Sequence, residues 1–192
     1  MGCDINLYVE KFSNGRWKSI DRWNTEDKDY IHVEYDDQYY HRRNYVAFAL
    51  LANVRNYHNI EPFSMPKGFP IDVSRQVKQA SDNYGVDGHS HSSFTLKELL
   101  EFDWNRTIKI AGYMMNSQWD RFSESLKSDN PDYNLSYPRS QSIRDSMKNE
   151  YAWHEWKVPI STAIYDICEL IIKLLELRKP PHHIRIVFFF DK

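Results

Sequence analysis

The sequence predicts an α+β fold in a single domain over residues 1–192: a mixed β-sheet with an N-terminal hairpin and a C-terminal strand, packed by amphipathic helices that include a long C-terminal core helix. Three observations predict it. Ile5, Leu7 and Val9 alternate with Asn6, Tyr8 and Glu10 ahead of an Asn14-Gly15 turn, the pattern of a β-hairpin. Ala163, Ile164, Ile167, Cys168, Leu170, Ile171, Leu174, Leu175 and Leu177 form a wide apolar stripe at helical spacing, opened by Pro159 and closed by Arg178-Lys179-Pro180-Pro181. The short run Ile184-Arg185-Ile186-Val187-Phe188-Phe189-Phe190 then reads as a strand at the centre of a sheet with helices on at least one face.

Between these ends the signals vary. Asp21 to Arg43 is dense in charge and tyrosine and reads as a surface excursion, with a short strand at His32-Val33-Glu34-Tyr35. Asn44 is placed to cap a helix that buries Tyr45, Phe48, Ala49, Leu51 and Ala52 on one face and runs to about Arg55. Pro62, Pro66 and Pro70 forbid regular structure, after which Asp72 or Ser74 starts a short polar helix. Thr95-Leu96-Lys97-Glu98 has capping-box spacing, so a helix begins at Leu96. From Thr107 to Tyr151 the reading is a helix near 118–126, a loop at Asp129-Asn130-Pro131 and Pro138, and a helix near 140–150.

Composition narrows the function classes. Ten Phe, 13 Tyr and 6 Trp put much of the packing in aromatic rings. With 25 basic and 27 acidic residues the net charge is −2, which offers no electrostatic footprint for duplex nucleic acid. Cys3 and Cys168 lie outside any CxxC spacing, so neither a disulfide framework nor a thiolate metal site is expected. No run approaches the roughly 18 apolar residues of a membrane span, and no signal peptide is recognised, so a cytoplasmic location is expected.

One polar cluster stands out, Asp87-Gly88-His89-Ser90-His91-Ser92, just ahead of the Thr95 helix. Three readings stand side by side. Amides from Gly88 onward form a nest for a phosphate at the helix mouth. Alternatively His89 and His91, on the same side of an extended segment, hold a metal with Asp87 or a distant carboxylate. In the third reading the loop only satisfies its own hydrogen bonds. Lys67-Gly68-Phe69 adds a cation, a flexible backbone and a ring for holding a base and its phosphate, and Tyr45 and Arg55 complete the candidate ligand set. Trp104 and the Trp153-His154-Glu155-Trp156 stretch are candidate stacking platforms or core, and His182-His183 is expected to face solvent. GxSxG, HExxH, the phosphate-binding glycine loop and the dinucleotide fingerprint are all missing from the sequence.

Taken together, Met1-Gly2-Cys3-Asp4-Ile5, Asn44-Tyr45 through Arg55-Asn56, Lys67-Gly68-Phe69-Pro70 with Asp72, the 87–92 cluster with Thr95-Leu96, and Arg185-Ile186-Val187-Phe188 before Asp191 resemble a family of small bacteriophage and bacterial proteins. In that family the opening continues with histidine where this chain has Asn6, and arginine stands where it has Lys67. The resemblance implies a phage or prophage setting, in which a small protein without an enzyme signature acts against host defence. The expected function is therefore to bind and sequester a small phosphorylated nucleotide, a host anti-phage signal, as a homo-oligomer, with no cofactor or bound metal. The alternatives are a phosphodiesterase or related hydrolase using His89, His91 and Asp87, and a module that blocks a host protein.

Overall fold

The computed structural model describes residues 2–27, 30–128, 131–132 and 142–192. It has the α+β class that the patterning predicts, and packing divides the chain into two compact units. The first holds residues 1–57, 61–103 and 164–192, and the second holds 58–60 and 104–163.

In the first unit a four-stranded sheet runs in the order β2-β1-β8-β5, with β1 at Asp4–Ser13, β2 at Arg16–Ser19, β5 at His89–Thr95 and β8 at Ile184–Asp191. Asn14 and Gly15 both take positive φ in the turn between β1 and β2, as a tight hairpin requires. Among the described residues all of its pairings are antiparallel, so the expected mixed sheet is corrected. The central strands come from opposite ends of the chain, and no helical crossover returns one beside the other in the same direction. A ribbon of β3 (Trp23–Asn24) and β4 (His32–Val33) breaks the surface excursion.

Successive residues of β8 face opposite sides, and both sides are covered, which is why every residue from Ile184 to Phe190 is buried. On one side Phe190 meets Phe48 of α1 (Tyr45–Ala52) edge to face at 5.0 Å. On the other, Val187 and Phe189 join Tyr8, Val33 and two residues of α2 (Arg75–Asp82), Val77 and Ala80. The Asn44 side chain accepts from the amides of Val46 and Ala47, as the capping reading requires. The helix it caps is buried all round from Ala47 to Ala52 rather than on one face, because Tyr-Val-Ala-Phe-Ala-Leu-Leu-Ala offers no polar side. It stops at Asn53 in a left-handed conformation, short of Arg55.

Two polar ties hold this unit. Arg185 donates through Nε to buried Glu10 (2.6 Å) and through Nη1 to Asp72 (2.8 Å), while the Ser74 amide donates to the other Glu10 oxygen (2.7 Å). Together they anchor the start of α2 to the sheet. Asp166, buried near the start of α6 (Tyr165–Leu175), accepts from Tyr40 and from the Asn44 side chain. The long C-terminal helix predicted from Pro159 is therefore two helices, α5 (Ile160–Ala163) and α6, because Ile164 at φ −131°, ψ 44° leaves the helical region.

The second unit is built on a hairpin of β6 (Thr107–Met115) and β7 (Tyr151–Pro159), packed by α4 (Asn116–Ser125) through Phe122, Trp119 and Trp156. Of the helix expected near 140–150, the described residues show only a 3-10 turn at Asp145–Met147. Asp129, Asn130, Pro138 and Ser140 lie outside the described residues. Among those described, no helix is long and apolar enough to cross a membrane.

Candidate functional site

The 87–92 cluster is not a loop at a helix mouth. Residues 89–95 form β5, paired with β8, and α3 (Leu96–Glu101) starts only after that strand. The helix end is also occupied by its own sequence: Thr95 Oγ1 accepts from the Glu98 amide (3.1 Å) and Glu98 Oε2 accepts from the Thr95 amide (2.7 Å). This capping box was legible in the sequence, and it takes up the Thr95 and Glu98 amides that a phosphate at the helix start would have met. Gly88 is extended at φ −74°, and a Cβ on it would meet Tyr84 Cβ at 3.3 Å, so close approach explains this glycine.

A β-bulge decides where the imidazoles go. His89 pairs with Phe190 and Ser92 with Phe188, so β5 spends one more residue than β8 over that interval. Ser90 absorbs the extra residue in the left-handed region at φ 53°. The alternation therefore flips: His89 stacks on Phe190 (6.1 Å, 26°) and His91 on Phe189 (5.4 Å, 27°), on opposite faces of the sheet. This geometry speaks against the alternative in which His89 and His91 share a metal. No group of three His, Cys, Asp or Glu among the described residues is arranged to hold a metal.

His91 lines an open hollow of about 360 Å³ with Gly68, Phe69, Lys78, Ser81, Asp82 and Gly85. The proline-rich loop is fixed there by sequence and by hydrogen bonds. Gly68 takes φ 79°, which glycine allows without strain, and its amide donates to the His91 carbonyl at 2.8 Å. The amide of Lys67 donates to the buried Ser92 hydroxyl at 3.4 Å. Phe69 consequently meets the His91 ring edge to face at 4.4 Å. Ser81 Oγ lies 2.8 Å from His91 Nε2 and fixes the ring from the α2 side. Burial pushes the His91 pKa down, aided by the nearby His89 and the Lys78 ammonium, while Asp82 opposes the shift, so the site favours the neutral ring.

The chain matches no family model, no curated protein and no solved structure.

The remaining predicted residues divide between this hollow and other places. Lys67 turns away: its ammonium pairs with Glu98 at 3.3 Å and sits over the Phe94 ring at 4.4 Å. Lys78, one turn along α2 from Asp82 and paired with it at 3.1 Å, is the cation of the hollow instead. Asp87 is exposed in the 3-10 turn Gly85–Asp87. Ser90 bonds His89 Nδ1 at 2.9 Å on its own strand. Arg55, another residue with positive φ, reaches the Gly2 carbonyl and the Tyr57 hydroxyl, and Tyr45 packs on Phe48 and Tyr57.

His89 belongs with Arg55: burial lowers its pKa, helped by the Lys192 and Arg55 charges and opposed by Asp191. The sheet ends here in a polar group that the sequence reading did not assemble. Asn6 donates to Asp191 (3.0 Å) and accepts from Tyr84 (3.0 Å), and Arg43 grips both oxygens of Asp4. Of the proposed stacking platforms, Trp156 is core, Trp104 is half-buried and Trp153 is 45% exposed. Lys78 and Ser81 were missed because such residues are ordinary in a short polar helix; only their spacing of three, which puts them on one face, could have pointed to them.

Proposed function

We propose that the protein binds a small phosphorylated nucleotide in the hollow beside His91 and holds it out of solution, acting as a sink for a nucleotide signal. The observation that carries the reading is the Gly68-to-His91 hydrogen bond, which sets the Phe69 ring beside the His91 imidazole in the hollow that Lys78 also lines. Such a set suits a base against the ring and a phosphate against the cation. The volume of about 360 Å³ falls within the range of small-molecule sites. Among the described residues Lys78 pairs with the exposed Asp82, and an exposed ion pair exchanges partners at little cost. The phage or bacterial setting, and a host defence signal as the ligand, rest on the sequence resemblance.

The test is to incubate the protein with a panel of linear and cyclic nucleotides, remove unbound material, denature, and weigh what is released. Intact nucleotide is expected. Lys78→Ala and His91→Ala should each weaken binding by about ten- to a hundredfold, the equivalent of a charge-assisted hydrogen bond. Lys67→Ala should leave binding unchanged, since that ammonium is engaged by Glu98. Wild-type protein that binds no member of the panel would defeat the reading. A second reading has one specific observation behind it: Ser81 Oγ lies 2.8 Å from His91 Nε2, the spacing of a hydroxyl nucleophile and its base. Release of a cleaved nucleotide, abolished by Ser81→Ala, would establish the hydrolase instead.

A further inference from the structure

The hairpin of the second unit carries an edge whose chemistry is complementary to itself. Three hydrogen bonds fix which backbone groups point outward. The Asn116 amide donates to the Glu150 carbonyl and the Ile160 amide to the Arg106 carbonyl, continuing the β6–β7 ladder at both ends with even-numbered residues facing inward. The Ala111 amide points the other way and donates to His58 Nδ1. Because antiparallel pairs alternate, the partners of the odd-numbered β6 residues also point away, so Trp153, Glu155 and Lys157 direct their amides and carbonyls to the outer edge of β7. Among the described residues no strand pairs with that edge.

We propose that β7 pairs antiparallel with β7 of a second copy of this chain about a two-fold axis at Trp156, joining two hairpins into one sheet. This register sets Glu155 opposite Lys157 of the second copy, and Lys157 opposite its Glu155, on the same face of the sheet. Moving the axis to residue 155 sets glutamate against glutamate, and moving it to 157 sets lysine against lysine; like charges directly opposite are destabilising. In the chosen register Glu155 lies between Lys109 of its own hairpin, with which it already forms an ion pair, and Lys157 of the second copy. Trp153, 45% exposed, covers Pro159 of the other chain. Pro159, having no amide hydrogen, ends the pairing there. An edge of this kind otherwise leaves a row of unpaired backbone groups facing water.

The experiment is sedimentation velocity over a concentration series with the full chain. Wild type should pass from monomer to dimer as concentration rises. Lys157→Glu and Glu155→Lys should each weaken the dimer by about tenfold, since each turns both attractive cross-strand pairs repulsive. Mixed together, the two variants should form a heterodimer, because every facing pair is then of opposite charge; thermal melts of each variant confirm that it is folded. Wild type that stays monomeric at its solubility limit overturns the proposal and leaves the edge to a strand of another protein. A dimer that both variants form as well as wild type, or a mixture that gains no heterodimer, overturns it too. Nucleotide binding is read separately, so neither result depends on the other.

Discussion

Replacing Arg185 by Met tests the central polar tie of the first unit. The guanidinium serves two acids in unlike surroundings: the Glu10 side chain is fully buried, whereas that of Asp72 is 53% exposed. When the cation is removed, Asp72 returns to water, and a pair of that exposure contributes at most about 1 kcal/mol. Glu10 has no such escape. It keeps the Ser74 amide at 2.7 Å but loses its counter-charge, and stranding a buried charge costs about 3–5 kcal/mol. For a chain of this size each kcal/mol moves Tm by about 2–4 °C, so Arg185→Met should melt roughly 6–20 °C below wild type. Asp72→Asn should melt less than about 4 °C lower. Urea denaturation followed by aromatic fluorescence gives the free energies directly. Glu10→Gln/Arg185→Met should be more stable than Arg185→Met alone, since the stranded charge has gone. An Arg185→Met chain within about 1 kcal/mol of wild type would refute the reasoning, as would a double variant no more stable than Arg185→Met.

Two further outcomes follow from other residues. Asp21, whose Oδ2 accepts from the Val9 amide and the Ser19 hydroxyl, has its pKa pushed up to about 6 by burial. The native state therefore binds more protons than the unfolded chain between about pH 4 and pH 6, so stability falls as pH rises through that window and levels off above it. Asp21→Asn should abolish this slope and gain on the order of 1–3 kcal/mol at neutral pH, measured by denaturation at a series of pH values; an unchanged slope would contradict the assignment. At the bulge, Ser90→Gly should be neutral or stabilising, whereas Ser90→Val should cost about 1–2 kcal/mol, because a β-branched residue resists the left-handed region. Equal stability of the two variants would mean that the bulge is not held at Ser90.

What the sequence discloses is what short-range chemistry decides. Thr95 and Glu98 cap one helix and Asn44 caps another through hydrogen bonds to amides close by in sequence, and Asn14-Gly15 supplies its turn locally. The run from Ile184 to Phe190 is apolar on both sides because both sides are covered. The candidate site is less legible. Polar residues 87–92 look like a loop because their hydroxyls and imidazoles resemble turn chemistry, yet pairing with β8 makes most of them a strand. Nothing local marks Ser90 as the inserted residue. Gly68 and His91 are brought together by the loop's path across β5, which spacing along the chain does not encode. In the second unit the alternation Ile108, Ile110, Met114 was available as a strand signal, diluted by Gly112 where a large apolar residue would have continued it.

The one-residue offset in β5 has a practical reach beyond stability. It gives neighbouring histidines independent surroundings, His91 with the ring of Phe69 and His89 with the charge of Arg55. Were the same residues paired without the offset, regular alternation would put both imidazoles on one side of the sheet. The pairing offset is therefore as consequential as residue identity, and a transplant of the whole segment into another sheet would keep the imidazoles apart only if the bulge formed there too.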